Sequence, residues 1–350
     1  MSEFFLDFTL SSDTWSPAHP RMAEAIGRAC EGYAPPYGED GLTKAAVAEF
    51  KKILGSEIEV FFALNGTGAN VLALSALMDR CSGIICPDSA HINNHETGAP
   101  ERLLGAKLLP CPHRQGKLAP EDIRRWAARR GDPGYASPDV VSIAQTTEYG
   151  TVYTAAEVAA ICRAAHENGM LVHMDGARFA NAVAALGSEP LASSGGAGVD
   201  ALCFGGTKNG FVFGEAIVFF NRGAARRFAW LQKQHLQLAS KNRYIAAQFE
   251  AALRGGLWLE LARQANQTAA RLAAALEAMP GAALVYPVQS NQIFLRVPSA
   301  WHEPLRRWTS YGQEADGTLR LVTSWNTTEA QIDDFIAKLK TLLPRPDASS

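Results

Sequence analysis

Cys203-Phe204-Gly205-Gly206-Thr207-Lys208-Asn209-Gly210 reads as a short apolar strand that ends in glycines and presents one lysine on a tight turn. A lysine in a turn is ordinarily a solvated surface residue, so its meaning depends on what accompanies it. Upstream, Val172-His173-Met174-Asp175-Gly176-Ala177-Arg178 reads as a second strand, Leu171 to Met174, that delivers a carboxylate at its C-terminal end. That is the end at which parallel sheets gather ligand-binding groups. A third strand, Val60 to Leu64, runs into Asn65-Gly66-Thr67-Gly68-Ala69-Asn70 and then into the apolar stretch Val71 to Met78. Glycines between a strand and a helix let backbone N–H groups approach an anion, and the helix N-terminus adds partial positive charge suited to phosphate.

These three segments supply a phosphate cradle, an acid for a ring nitrogen and an amine for a Schiff base. Pyridoxal 5'-phosphate requires all three, because the carboxylate keeps the pyridine nitrogen protonated and makes the ring an electron sink. Asp175 also has a plainer reading as a helix N-cap, since a strand-Asp-Gly turn often serves that purpose. Its spacing from Lys208 favours the cofactor.

With 350 residues, 47% of them apolar, the chain can bury a large core and its length suggests about two domains. The net charge of −2 comes without a basic run or an aromatic-interleaved basic stripe, which gives nucleic-acid binding little support. No basic, apolar leader opens the sequence and no 18 apolar residues run together, so a soluble cytoplasmic protein without a membrane partner is expected. The six cysteines, Cys30, Cys81, Cys86, Cys111, Cys162 and Cys203, form no C-x-x-C pair and are expected to be reduced core residues.

Between residues 40 and 220 helix-like and strand-like patterns alternate, which argues for an α/β domain with a mostly parallel sheet covered on both faces. From about Ser240 the pattern becomes long Ala- and Leu-rich helix, Asn242 to Leu253 and Leu257 to Met279. Short strands at 282–286, 292–297 and 318–322 and a closing helix near Glu329 to Leu343 follow. The expected organisation is an N-terminal segment at 1–20 that contributes to the active site, a large domain at 21–240, a small C-terminal α+β domain at 241–345 and a disordered tail at 346–350.

Four blocks in register, Glu59 to Ala73, Ser89 to Glu101, Leu171 to Asn181 and Cys203 to Gly210, resemble the threonine aldolase family of fold-type-I pyridoxal phosphate enzymes, especially its bacterial low-specificity L-threonine aldolase branch. The likeness covers nearly the whole chain. It implies a large domain with a mostly parallel seven-stranded sheet between helices, and cleavage of L-threonine, L-allo-threonine or related L-β-hydroxy-α-amino acids to glycine and an aldehyde. By the same resemblance Lys208 is the Schiff-base lysine, Asp175 the pyridine-nitrogen partner, and Gly66, Thr67 and Gly68 the loop around the phosphate. His91 is the imidazole over the cofactor ring. Ser12, Arg178 and Arg320 lie at the substrate carboxylate, with Arg178 near the cofactor as well and His95 on the substrate side. Tyr37 and Lys241 match positions that reach the site from a neighbouring subunit, which implies a homo-oligomer of active-site-sharing subunits, expected as a tetramer.

The base that removes the β-hydroxyl proton is left open among His91, a water it orients, and Glu96. His95-Glu96 lacks the His-Glu-x-x-His spacing of a zinc helix and no third ligand stands out, so no metal is expected. His173, two residues from Asp175 on one strand, shares its face and suits a supporting or core role. The chain departs from the bacterial pattern at His235, Leu236, Phe211 and Phe213, whose bulk is expected to narrow the subunit interface or reshape the β-substituent pocket. Thr146-Thr147-Glu148-Tyr149 stands where more distant members carry Asn-Thr-His-Asn, so a histidine contribution from that loop is missing. A β-eliminating lyase or a transaldolase acting on a β-hydroxy amino acid needs the same lysine, aspartate and arginines and remains the alternative.

Overall fold

The computed structural model describes residues 6–343; the tail expected at 346–350 lies outside the described residues. Seven strands form the large sheet: β1 (Glu59–Ala63), β2 (Ser82–Pro87), β3 (Lys107–Cys111), β4 (Ser137–Ala144), β5 (Leu171–Gly176), β6 (Ala201–Gly205) and β7 (Glu215–Phe219). Their order is β1-β7-β6-β5-β4-β2-β3. All point the same way except β7, which pairs antiparallel with both β1 and β6. The mostly parallel, seven-stranded α/β architecture therefore agrees with the sequence reading.

The strands are apolar in continuous runs because both faces are covered. On one face Ile85, Val141, Ile143, Val172, Met174, Leu202, Phe204 and Val218 join the larger core, together with residues of the helices Gly41–Leu54, Ala155–His166 and Arg243–Leu253. On the other, Ile84, Val140, Ala201, Cys203, Ile217 and Phe219 pack with the helix Gly66–Leu77. The strand before Lys208 is pinned by an aromatic cluster in which Phe204 meets Phe50 edge-on at 5.2 Å and 89°. Such a pair contributes about 0.5–1.5 kcal/mol beyond its buried area.

The strand β3 has no counterpart among the sequence-derived strands. It contains Pro110, which lacks an N–H and is tolerated in sheets mainly on edge strands, and β3 is the sheet's edge. The cysteine expectation needs a correction too. Cys86, Cys111, Cys162 and Cys203 are buried and free, but Cys30 and Cys81 are exposed, one closing the helix Pro20–Ala29 and the other in the turn before β2.

A second, antiparallel sheet has the order β10-β11-β9-β8, formed by β8 (Ala283–Leu284), β9 (Gln292–Arg296), β10 (Gly312–Gln313) and β11 (Leu319–Val322). It packs on the C-terminal half of the helix Leu257–Glu277 and on Glu329–Lys340, with Leu272, Leu276, Ile293, Leu321 and Phe335 at its centre. The N-terminal half of Leu257–Glu277 contributes Leu257, Trp258, Leu261 and Ala262 to the large core, so this one helix joins the two bodies. The chain start is tied to the small sheet: the Leu10 N–H donates to the Ser310 carbonyl at 3.1 Å and the Val322 N–H to the Leu10 carbonyl at 2.8 Å.

Candidate active site

The C-terminal ends of β1, β2, β4, β5 and β6 converge, as ligand-binding ends of parallel strands do. They deliver Asn65 to Thr67, Ser89 and His91, Glu148, Asp175, and Lys208 respectively. Two adjoining cavities lie there. The inner one, about 230 Å³, is lined by Asn65, Gly66, Thr67, Asn70, Asp175 and Lys208 among others. The outer one, about 510 Å³, adds Ser12, Arg178, His95 and Arg320, and His91 and Lys208 border both.

Asn65 caps the helix Gly66–Leu77 by accepting the Gly68 N–H at 2.8 Å. Gly66 and Thr67, whose N–H groups stand in the first turn and have no intrahelical partner, line the inner cavity. Gly68, expected in the phosphate loop, does not line either cavity; its N–H is committed to Asn65. Its missing side chain instead admits Gln237, whose carboxamide would meet an added Cβ at 2.4 Å. Gln237 in turn accepts the Leu64 N–H at 3.0 Å.

Asp175 accepts the Ala177 N–H at 2.9 Å and the Asn70 carboxamide N–H at 2.9 Å. Burial alone would raise its pKa, but His91, Lys208 and these two donors outweigh it and hold the carboxyl below the usual range. Asn70 also donates to Glu96 at 2.8 Å, and Glu96 is bonded to His91 Nδ1 at 2.8 Å. The result is a continuous polar line, His91–Glu96–Asn70–Asp175. The Glu96 hydrogen bond raises the His91 pKa against the opposing effect of burial. Glu96 itself has no exposed side-chain surface and lines neither cavity, so it stands behind His91. One ligand atom each from His91, Glu96 and Asp175 lies within 4.8 Å of the others, a cluster that a search of the sequence for zinc spacing does not reveal. His91 and Glu96 are already joined to each other directly, and Asn70 bridges Glu96 to Asp175.

His173 points into the core under Asp175, fully buried, between Ser142 Oγ at 2.9 Å and Cys203 Sγ at 3.4 Å. Burial pushes its pKa down to about 4 and keeps the ring neutral. Lys208 has its pKa lowered, first by burial and then by Arg178, against the counter-pull of Asp13, Asp175 and Glu215. Glu215, at the start of β7, accepts the Gly206 N–H at 2.8 Å, and burial raises its carboxyl to about 7.

In the outer cavity Arg178 does not present a free fork. Its Nε and one terminal nitrogen bind Asp13 at 2.7 and 2.9 Å, and Asn291 donates to the same carboxylate at 3.0 Å. Asp13 is 1% exposed, and Arg178 and Lys208 hold its pKa down although burial pulls the other way. Arg320, on β11, lines the cavity with its Nε buried and unpartnered among the described residues. Tyr37 and Lys241 line neither cavity. They share an exposed patch in which the Tyr37 N–H donates to the Ser240 carbonyl at 2.9 Å and Lys233 lies over the Tyr37 ring. Of the departing bulky residues, Phe211 is buried against Phe249 in the large core rather than in the cavity, while Leu236 is exposed. Asp13, Asn70, Glu148 and Glu215 are the site residues that sequence reasoning passes over. Asp13 adjoins Ser12, Asn70 closes the Asn65–Asn70 run and Glu148 stands in the Thr146–Tyr149 stretch, but nothing local assigns any of them a role.

The geometry is that of an amine, a carboxylate and an anion cradle set side by side at the edge of a parallel sheet. The chain belongs to the β-eliminating lyase family, whose model matches residues 9–299. Within it the chain stands among the threonine aldolases. Low specificity L-threonine aldolases of Pseudomonas sp. (strain NCIMB 10558) and Pseudomonas aeruginosa are each 42% identical to it over 336 residues, which is 95% of this chain and 97% of theirs. A solved threonine aldolase structure from Leishmania major superposes with a TM-score of 0.91 at 30% identity, covering 96% of this chain and 99% of that one.

Proposed function

We propose that this chain cleaves the Cα–Cβ bond of L-threonine, L-allo-threonine or related L-β-hydroxy-α-amino acids, giving glycine and an aldehyde, with pyridoxal 5'-phosphate as its cofactor. The observation that carries this reading is the convergence on one pair of cavities of Lys208 and Asp175 with Ser12, Arg178 and Arg320. The residues present fit the cofactor. The free N–H groups of Gly66 and Thr67 suit its phosphate, the anionic Asp175 suits its ring nitrogen, and Lys208, its pKa lowered by burial, suits its aldehyde. When bound, it would supply an aldehyde for the amine and an electron sink for charge that develops at Cα.

The chain's own residues supply orientation and protons. Arg320 has an unpartnered buried nitrogen, and with Ser12 and the remaining donors of Arg178 it offers a carboxylate several charge-assisted hydrogen bonds. Fixing the carboxylate decides which bond at Cα is aligned for cleavage. His91, held by Glu96, borders both cavities, from where it would serve the cofactor on one side and the substrate on the other. Tyr37 and Lys241 complete the site of a neighbouring copy in a homo-oligomer, and the protein works in the cytoplasm. Among the described residues no helix is long and apolar enough to cross a membrane.

The test is to add L-threonine to the purified holoprotein and measure glycine, acetaldehyde and 2-oxobutanoate in one sample. Glycine and acetaldehyde in equal amounts are expected. 2-Oxobutanoate and ammonia without glycine would replace this reading with β-elimination.

A further inference from the structure

The cavity lining contains an acid that the arrangement above leaves without a task. Glu148 stands at the end of β4, in the outer cavity with His91, Ser12, Arg178, Lys208 and Arg320. Its Oε1 accepts the His91 N–H at 2.8 Å, which fixes the carboxyl at the start of the short helix His91–Asn94. Its Oε2 is buried and has no partner among the described residues. An unpaired buried acid oxygen is costly, and its persistence at a cavity wall points to a ligand group that completes it.

We propose that Glu148 accepts the proton of the substrate β-hydroxyl during Cα–Cβ cleavage. The inference rests on the aldolase reading above. Proton and electrons balance as follows: the hydroxyl proton passes to the Glu148 carboxylate, Cβ–O becomes a carbonyl and Cα–Cβ breaks. The bonding pair stays with the Cα fragment, which takes up a proton to become glycine.

The neighbouring candidates are less suited. The His91 ring has Nδ1 committed to Glu96, whose hydrogen bond raises the ring's pKa, and only Nε2 is left for the cavity. Glu96 lies behind His91. Glu314, the other carboxylate at the cavity, is exposed at its rim. Burial raises the Glu148 carboxyl to about 7, with Asp175 adding to the rise and the His91 N–H and ring opposing it. A group half-ionised near neutrality is matched to proton transfer there. The carboxyl thus occupies the loop position at which the sequence lacks the histidine of more distant relatives.

Glu148→Gln keeps an acceptor for the His91 N–H and removes the base. In the holoenzyme, L-threonine cleavage is expected to fall by about 10²–10⁴-fold. Exchange of the glycine α-proton with D₂O involves no β-hydroxyl, so its rate and the visible-absorbance titration with glycine should stay as in the wild type. The wild-type acidic limb near neutrality should vanish from the pH profile of the residual cleavage. Retained cleavage would overturn the proposal, and so would parallel loss of cleavage and exchange, which marks a role in seating His91. Should Glu148→Gln fail to fold, Glu148→Asp serves instead: reduced cleavage with intact exchange supports the proposal and equal losses overturn it. A wild-type enzyme that exchanges glycine but cleaves no β-hydroxy amino acid would sink the aldolase reading itself.

Discussion

Asp13→Ala should cost this protein more stability than any other single change at the site. The carboxylate is 1% exposed and accepts two bonds from Arg178, at 2.7 and 2.9 Å, and one from Asn291 at 3.0 Å. The Arg178 side chain is itself only 13% exposed, so removing Asp13 strands a cation away from water. Breaking a buried pair in this way costs about 3–5 kcal/mol, because the orphaned charge keeps its desolvation penalty. Asp13→Asn, which retains one acceptor oxygen of the same shape, should cost about 1–3 kcal/mol, the range for leaving one buried donor unsatisfied. Urea unfolding of the cofactor-free protein at pH 7.5 measures both. Since the pair also sets the direction of the Arg178 fork, KM for L-threonine should rise in both variants by a larger factor than kcat falls. An Asp13→Ala protein within about 0.5 kcal/mol of the wild type, the scatter of neutral surface changes, would refute the reasoning and mean that Arg178 finds water when Asp13 is gone.

Three further outcomes are expected. Lys208→Ala should lose turnover together with the visible absorbance of covalently held cofactor, and a variant that keeps both would end the assignment of Lys208. Replacing His173 by Gln should flatten the pH dependence of stability in acid: the folded ring titrates near 4 and the unfolded one near 6.5, so the unfolded chain takes the proton first. The stabilisation tied to this ring is present above pH 6.5 and lost as pH falls through 4, about 3 kcal/mol in all, and urea midpoints measured from pH 7 to 4 would show the missing slope. Gly68→Ala should displace the Gln237 carboxamide and break its bond to the Leu64 N–H beside the phosphate cradle. A net loss of about 1 kcal/mol per hydrogen bond corresponds to about fivefold weaker cofactor binding, measurable by dialysis and reconstitution; unchanged affinity would show that Gln237 moves without consequence.

Compact, mostly apolar strands that end in glycine, such as β5 and β6, could be read directly, and with them Asp175 and Lys208. Their signal is local: the carboxylate and the amine each sit at the end of the strand that carries them. The edge strand β3 was hidden by Pro110, which looks like a break unless the strand's position in the sheet is known. Asp13 and Asn70 were illegible for a different reason. Asp13 matters through partners 165 and 278 residues away, and Asn70 through one 105 residues away, so no window of sequence contains the contact. Arg320 lies on a short strand with no local signal of a site, is marked out only by the family resemblance, and joins the outer cavity through the small sheet. Phe211 could be seen as bulky, but not as turned into the core.

The two cavities draw on different parts of the chain. The inner one is lined by residues from Thr14 to Glu215, whereas the outer one also needs Gln292, Phe294, Glu314 and Arg320 from the small sheet. A swing of the small sheet about the helix Leu257–Glu277 would therefore unmake the substrate chamber while leaving the cofactor seat whole. Such a division would let each turnover end with departure of its products and begin again with the same cofactor still in place.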